Sequence, residues 1–272
     1  MLQVLVIADL HADHWRARGE DPILDVDLDN IDALILAGDI SNKGHVQWRF
    51  AIEELSNRIE PNKIFLMPGN HDYYGGKIDR EDKLYETARK AGANFVQKSV
   101  LVFGNTRFLC CTLWTDMHLG GGPIDQNLEN ADRRMNDHKA IRIASDGYRK
   151  FSSLHAARLH HDHRLWLDEQ LATPFVGKTI VVTHHAPLPD CIHNDDWSDV
   201  PYCYASDLSE LIQRYQPDVW LHGHTHVPTN LTLGSTRISN VSVGYPGKRE
   251  SGRERADLAL GLIECEDNSE QD

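Results

Sequence analysis

The stretch LQVLVIADLH, residues 2–11, joins an apolar run to two polar side chains, and this pattern decides the fold. The run is short and rich in β-branched residues, which is typical of a buried strand at Gln3–Ile7. Asp9 and His11 follow the run, and residues two apart in an extended segment point the same way. The stretch therefore predicts a strand with two candidate ligands at its carboxyl end.

Four further apolar runs have the same form, and helical spacing lies between them. We predict strands at Ala33–Leu36, Lys63–Met67, Thr179–Val182 and Asp218–Leu221. The segments with helical spacing are His45–Arg58, Asp79–Ala91 and Ser206–Tyr215. Alternation of strands and helices is typical of an α/β fold with a mostly parallel sheet.

A second group of apolar runs is joined by turns such as GNT and GST, which favour hairpins. We predict these strands at Ser99–Phe103, Arg107–Leu113, Val227–Leu233, Thr236–Val241 and Ala256–Ile263. They indicate a second sheet, mixed or antiparallel, so the predicted fold is a two-sheet β-sandwich flanked by helices.

The segment Met117–Leu171 interrupts the alternation with continuous helical spacing. We interpret it as a helical cap inserted at about residues 117–171 of one domain that covers residues 1–265. The acidic residues 266–272 are expected to be a frayed tail.

Composition and charge exclude several classes of protein. The net charge of −13 disfavours non-specific binding to nucleic acid or to anionic lipid. No apolar run approaches the roughly 18 to 20 residues that a transmembrane helix needs. The five cysteines form neither a CxxC nor a CxxH pattern, so we expect reduced thiols rather than disulfides or a zinc finger. With no secretion signal at the start of the sequence, we expect a cytoplasmic protein.

The other predicted strands also end in polar side chains of the kind that bind metals. These side chains are Asp39, Asn70, His71, Asp72, His184, His185, His222, His224 and His226. In open α/β sheets ligands gather at the carboxyl ends of the strands, so we expect these loops to converge. Carboxylates, imidazoles and one amide, without a thiolate, suit Mn²⁺, Fe²⁺/³⁺ or Zn²⁺ better than a structural zinc cage.

Each of these residues has a plainer explanation when it is taken alone. Asp9 could cap a helix, Asn70 could serve a turn, and His71 could lie on the surface. Taken together, five successive predicted strands that each end in such side chains favour a metal site.

The series DLH, GD, GNHD, H and GHTH, from Asp9 to His226, resembles the calcineurin-like metallophosphoesterase family. The resemblance implies a four-layer αββα sandwich with two metal ions, Mn, Fe or Zn, at the sheet edge. By position, one ion would be bound by Asp9, His11 and His226. The other would be bound by Asn70, His184 and His224, and Asp39 would bridge the two.

The same resemblance implies roles for the remaining histidines. His71 would be the acid or transition-state stabiliser, oriented by Asp72. Either histidine of THHAP is a possible ligand, and we prefer His184 because it directly follows the strand. We expect His185 and His222 to support or pack behind the ligands.

The implied reaction is hydrolysis of a phosphomonoester or phosphodiester. Two cations would hold a hydroxide that attacks phosphorus in line, while His71 protonates the leaving oxygen. Two rival functions share the fold: a non-catalytic metal-binding scaffold, and a nuclease-type phosphodiesterase. The scaffold could dispense with Asp39, Asn70 or His71, yet all three are present. The acidic balance disfavours the nuclease, so we expect a small phosphoester as substrate and no membrane partner; the oligomeric state stays open.

The cap also resembles that of bacterial phosphohydrolase-type members of the family, in LWTDMHLGGG and RRMNDHKAI. Residues 131–164 carry eight Lys or Arg against four Asp, in an otherwise acidic chain. A basic segment over the metals could bind the substrate's phosphate, and Arg suits bidentate contact. The candidates are Arg133, Arg134, His138, Lys139 and Arg142, for which pairing on the helix surface is the alternative.

Overall fold

The fold is described from a computed structural model, over residues 1–192, 199–247 and 259–267. In chain order the strands are β1 (Leu2–Ile7), β2 (Ala33–Ala37), β3 (Ile64–Met67), β4 (Asn94–Phe95), β5 (Ser99–Phe103), β6 (Thr106–Cys111), β7 (Arg142–Ile143), β8 (Arg149–Lys150), β9 (Lys178–Thr183), β10 (Val219–His222), β11 (Asn230–Leu233), β12 (Thr236–Asn240) and β13 (Leu262–Cys265). The α-helices are α1 (Ala12–Arg16), α2 (Gly44–Leu55), α3 (Glu81–Lys90), α4 (Ile124–Arg134), α5 (Asp137–Ala140), α6 (Ser153–Ala172) and α7 (Ser209–Tyr215).

The first sheet has the strand order β13-β1-β2-β3-β4. Strands β1 to β4 are parallel, and β13 pairs antiparallel with β1. Alternate residues of β1 enter different cores: Leu5 and Ile7 pack with α2, whereas Val4 and Val6 face the other sheet. This alternation follows from the two-residue period of a strand.

The second sheet has the order β11-β12-β10-β9-β6-β5. Its four central strands are parallel, and a hairpin partner flanks them on each side. Phe108, Val182 and Leu221 from this sheet pack against the first sheet and are fully buried. Burying one such side chain stabilises the fold by about 1.5 to 3 kcal/mol. The predicted class, an α/β fold with two main sheets flanked by helices, is confirmed.

The assignment of strands to sheets differs from the prediction. Strands β9 and β10 were expected in the parallel sheet with β1, but they are central strands of the second sheet. The last strand, expected in the second group, pairs with β1 instead. Both sheets are covered on two faces, so their central strands have similar apolar runs that do not identify a partner. Residues 256–258 of that predicted strand lie outside the described residues.

The insertion is helical at both ends but not throughout. Helices α4, α5 and α6 occupy most of it, as predicted. Strands β7 and β8 form an antiparallel hairpin between α5 and α6, which the helical interpretation missed. The turn before β8 contains Gly147 and Tyr148, both at positive φ, so the DGY tripeptide was the available signal.

The extent of the domain stays a prediction, and residues 268–272 of the expected tail lie outside the described residues. In the part of the chain that the structure describes, none of the helices combines the length and the apolar character needed to span a bilayer.

Candidate metal centre

The predicted ligands converge where the carboxyl ends of the two sheets meet. The chain continuing from β1 pairs with the chain that follows β12, through an isolated bridge between Ala8 and Ser242. The loop after β10 is hydrogen-bonded to the loop after β9, because the Gly223 N–H donates to the His184 carbonyl at 3.0 Å. These backbone contacts hold the loops after β1, β9 and β10 at one place.

Five of the candidate ligands have left-handed backbone conformations. Their φ values are 53° for Asp9, 43° for His11, 52° for Asp39, 65° for His224 and 52° for His226. Residues other than glycine rarely adopt this backbone region, and each one that does destabilises the folded state by about 1 to 3 kcal/mol. Strain of this kind persists where the surrounding structure fixes it and is concentrated at functional sites.

One donor group contains Asp9, His11 and His226. The Nε2 atoms of His11 and His226 are 3.3 Å apart, and His226 Nε2 is 3.1 Å from Asp9 Oδ1. The other carboxylate oxygen of Asp9 accepts from the His224 N–H at 2.8 Å and from the Ser242 hydroxyl at 2.5 Å. Asp9 therefore keeps one oxygen directed at the two imidazoles.

A second donor group contains Asp39, His184, His224 and the amide of Asn70. His184 Nε2 lies 3.3 Å from Asp39 Oδ1 and 3.0 Å from Asn70 Oδ1. His184 Nδ1 lies 3.1 Å from the Ala37 carbonyl, which leaves Nε2 as the free ring nitrogen. Asp39 also approaches the first group, because its Oδ2 is 4.0 Å from His11 Nε2.

Glycine is required beside these ligands because there is no room for a side chain. A Cβ at Gly69 would collide with the Asp39 carboxylate and backbone, and one at Gly223 would collide with the Asp9 carboxylate. These glycines thus allow the loop after β3 to approach Asp39 and the loop after β10 to approach Asp9.

The donor set fits a pair of cations. Three groups of His and Asp atoms, Asp9/His11/His226, His11/Asp39/His71 and Asp39/His184/His224, each lie within 4.8 Å of one another. Burial raises the pKa of Asp39 well above its usual value, and the negative charges of Asp9 and Asp72 raise it further. Among the described residues, the ion pairs of Asp9 and Asp39 are with histidines alone. Buried carboxylates without Lys or Arg partners are typically compensated by a metal.

His71 lies at the edge of these groups, with 21% of its side chain exposed. Its Nε2 is 3.8 Å from Asp39 Oδ2, and its Nδ1 is 3.0 Å from Asn42 Oδ1. Asn42 was not identified from the sequence, because a polar residue in a loop after a strand carries no distinguishing signal.

Asp72 does not contact the His71 ring as the resemblance had implied. Its carboxylate accepts from the Trp48 indole at 2.7 Å and from the backbone N–H groups of Ile40, Ser41 and Gly69. Burial raises the pKa of Asp72 to about 7 against these hydrogen bonds. Asp72 thus joins the loops after β2 and β3, and the side chain that contacts His71 Nδ1 is Asn42.

The two remaining histidines lie beside the candidate ligands, and their supporting role stays a prediction. The His185 ring packs against the His224 ring at 4.2 Å between centroids, and its Nδ1 is 3.3 Å from the Thr112 carbonyl. His222 Nδ1 is 3.0 Å from the Gly223 carbonyl.

A cavity of about 330 Å³ opens over the donor groups. Three tyrosines form much of its wall, and each stacks on a histidine of the cluster. Ring centroids are 4.3 Å apart for Tyr74 and His71, 3.9 Å for Tyr245 and His11, and 5.1 Å for Tyr204 and His224. These tyrosines come from distant segments, so the sequence pattern did not reveal them.

Of the five cap residues predicted to meet the substrate, only Arg134 lines this cavity. Its guanidinium forms an ion pair with Asp199 at 2.5 Å. Arg133 instead donates to Asn130, and Lys139 donates to the Arg134 carbonyl at 3.2 Å.

The other two candidates are held within the cap. His138 is buried with its ring 5.7 Å from that of Phe151, and Arg142 belongs to the β7–β8 hairpin. The sequence count of cations could not show which side of each helix faces the cavity, and contact of these residues with a substrate stays a prediction.

Comparison with known proteins identifies the family. The sequence model of the calcineurin-like phosphoesterase family matches residues 2–228, and the chain belongs to this family. It is 25% identical over 249 residues to an uncharacterized protein of Acanthamoeba polyphaga mimivirus, covering 83% of this chain and 82% of that protein. The crystal structure of phosphopantetheinyl hydrolase from Mycobacterium tuberculosis is similar in fold, with a TM-score of 0.68, 20% identity and 94% of each chain covered. The predicted family is confirmed, and membership of this family supports a phosphoesterase.

Proposed function

We propose that this protein is a dinuclear metal-dependent phosphoesterase that hydrolyses a small phosphomonoester or phosphodiester. One observation carries the proposal: two groups of buried His and Asp donors meet at Asp39, on the floor of a cavity. Metal pairs that share a ligand are typical of phosphoryl-transfer hydrolases.

The proposed ligands fall into the two groups described above. Asp9, His11 and His226 would bind one ion, Asn70, His184 and His224 the other, and Asp39 would serve both. Burial lowers the pKa of His184 to about 3, so this imidazole is neutral, as a metal ligand must be. Two bound cations would neutralise the charge of the ester and lower the pKa of a water from 15.7 toward about 7.

His71 is the proposed acid. With Nδ1 donating to Asn42, its Nε2 faces the cavity beside Asp39. As an imidazolium, with Nδ1–H bound to Asn42 and a second proton on Nε2, the ring would donate from Nε2 to a phosphate oxygen and pass that proton to the leaving oxygen, a role worth roughly 10² to 10⁴ in rate.

The cavity supports a small substrate. The tyrosine walls and the cap leave about 330 Å³ over the proposed ligands, a volume suited to a small molecule. Arg134 is the cation of the cavity lining and would meet an anionic group of the substrate. A nucleic acid would need a longer basic surface, which the net charge of −13 disfavours.

A reducing compartment fits the cysteines. All five are buried and free of disulfides. Burial raises the pKa of Cys110 to about 12, so its thiol stays protonated and unreactive. We therefore propose the cytoplasm as the compartment.

The test is turnover by metal-free protein reconstituted with Mn²⁺, Fe²⁺ or Zn²⁺. Substrates would be p-nitrophenyl phosphate, bis-p-nitrophenyl phosphate and cyclic nucleotides, with metal content measured in parallel. We expect two ions per chain, metal-dependent turnover, and loss of both in Asp39→Ala. If the protein binds two ions per chain in each reconstitution but hydrolyses none of these esters, the result would favour the non-catalytic scaffold.

A further inference from the structure

Asp137 opens α5 in the cap, yet its side chain reaches the candidate metal centre. It is 4% exposed. One carboxylate oxygen, Oδ1, accepts from Asn70 Nδ2 at 2.8 Å and from the Tyr74 hydroxyl at 2.5 Å. A buried carboxylate from an insertion thus contacts a residue of the donor group directly.

The contact matters because the two ends of an amide group have the same shape but opposite hydrogen-bonding roles. Only the oxygen of Asn70 can bind a cation, and rotation by 180° would present the NH₂ group instead. Because Asn70 Nδ2 donates to Asp137, its Oδ1 is directed at the second donor group, 3.0 Å from His184 Nε2.

Tyr74 holds the Asp137 carboxylate in place. The phenol donates to Oδ1 at 2.5 Å, beside the hydrogen bond from Asn70. Its ring stacks on His71 at 4.3 Å, which fixes the position of the hydroxyl.

The backbone around Asp137 is also fixed relative to the loop that follows His71. Gly75 N–H donates to the Ala140 carbonyl at 3.0 Å, and Arg142 N–H donates to the Gly76 carbonyl at 3.2 Å. Helix α5 and the start of β7 are therefore each hydrogen-bonded to this loop.

We propose that Asp137 is a positioning residue, through which the cap orients the Asn70 amide with its oxygen toward the metal. This inference rests on the proposed metal site. The cap thereby takes part in metal binding as well as enclosing the cavity. Residues of this kind, which orient a ligand, typically contribute a factor of about 10 to 100 in metal affinity.

The test is Mn²⁺ titration of the metal-free protein. Binding is measured by calorimetry and by the electron paramagnetic resonance signal of free Mn²⁺. Asp137→Leu should weaken one of the two Mn²⁺ equivalents by about 10- to 100-fold. Asp137→Asn keeps an Oδ1 acceptor and should stay within about threefold of wild type. Thermal unfolding shows whether each variant folds, and Asp137→Ser replaces the leucine variant if that one does not.

A double variant separates orientation from packing. An aspartate at position 70 offers oxygen at both ends and needs no orientation, so Asn70→Asp should restore Mn²⁺ affinity in the Asp137→Leu background. The matched control is Asp132→Asn, because Asp132 accepts from the Ser153 N–H within the cap and does not contact Asn70. It should bind both equivalents as wild type does.

Three results would overturn the inference. They are wild-type Mn²⁺ affinity in Asp137→Leu, equal weakening in Asp137→Asn, and equal weakening in Asp132→Asn. Wild-type protein that binds no Mn²⁺ would instead refute the proposed function, so the two failures are distinguishable.

Discussion

The Nδ1 atom of His71 lies 3.0 Å from the amide oxygen of Asn42, and among the described residues it contacts no carboxylate. Asn42 is itself oriented, because its Nδ2 donates to Asp13 Oδ2 at 2.9 Å and its backbone N–H faces Asp13 Oδ1 at 3.3 Å. The oxygen of Asn42 therefore faces the ring and requires a proton on Nδ1. Since a neutral amide is the partner, the neutral ring is held in the Nδ1–H tautomer without the added basicity that a carboxylate would give. To act as the proposed acid, the ring must bind a second proton on Nε2.

Removing the side chain of Asn42 should impair turnover and leave the metals in place. In Asn42→Ala the His71 ring loses its fixed tautomer, so we expect kcat to fall about 10- to 100-fold with Mn²⁺ affinity unchanged. Steady-state kinetics and Mn²⁺ titration of the same preparation measure both. Asn57→Ala is the matched control, because Asn57 is exposed at the end of α2. Loss of metal in Asn42→Ala would show that Asn42 supports a ligand and not the acid.

Replacing His71 itself should have a larger effect of the same kind. His71→Ala removes the group that faces the leaving oxygen in the proposed mechanism, and kcat should fall by about 10² to 10⁴. Both Mn²⁺ ions should remain. His118→Ala, at an exposed histidine of the cap, should match wild type. If His71→Ala retained only one ion, His71 would be a ligand and the assignment of the acid would be wrong.

Arg134 should determine the affinity for anionic substrates. Charge-assisted hydrogen bonds contribute about 1.5 to 3 kcal/mol, so Arg134→Gln should raise KM roughly tenfold or more with little change in kcat. Asp199→Asn removes the present ion-pair partner of Arg134 and should lower KM. Arg133→Gln is the control, since Arg133 does not line the cavity. Equal KM values for Arg133→Gln and Arg134→Gln would remove Arg134 from the substrate site.

Local sequence was sufficient for the longer strands of the two sheets and for the polar residues that end them, but not for β4 or for the β7–β8 hairpin. Asp9 and Asp39 lie within two residues of a strand end, so once the strand is placed the side chain is placed too. The sheet partners of β9 and β10 depend on long-range pairing, and that information is absent from an apolar run.

The supporting residues of the site were not predictable for the same reason. Asn42, Asp137 and Tyr245 come from three distant segments, and each acts through contacts that form only in the folded chain. The left-handed conformations of His11 and His224 are also properties of the assembled loops, because nothing in an isolated histidine favours positive φ.

The buried His163 of α6 should make the protein less stable in mild acid. Its Nδ1 accepts the Leu113 N–H at 3.1 Å, so protonation would break a buried hydrogen bond. Burial lowers the pKa of His163 to about 4, from about 6.5 in the unfolded chain. Between these values the unfolded chain binds more protons than the native one, so stability is complete above pH 6.5 and falls toward pH 4.

From pH 7 to pH 5 this histidine should account for about 2 kcal/mol of lost stability. His163→Asn, which keeps an acceptor near the position of Nδ1, should shrink the pH-dependent loss by that amount in urea unfolding of chelated protein. His161→Asn, at the exposed histidine two residues earlier, should keep the full loss. Identical losses in wild type and His163→Asn would mean that other buried groups control the acid response, because the difference between these two proteins isolates the titration of one ring.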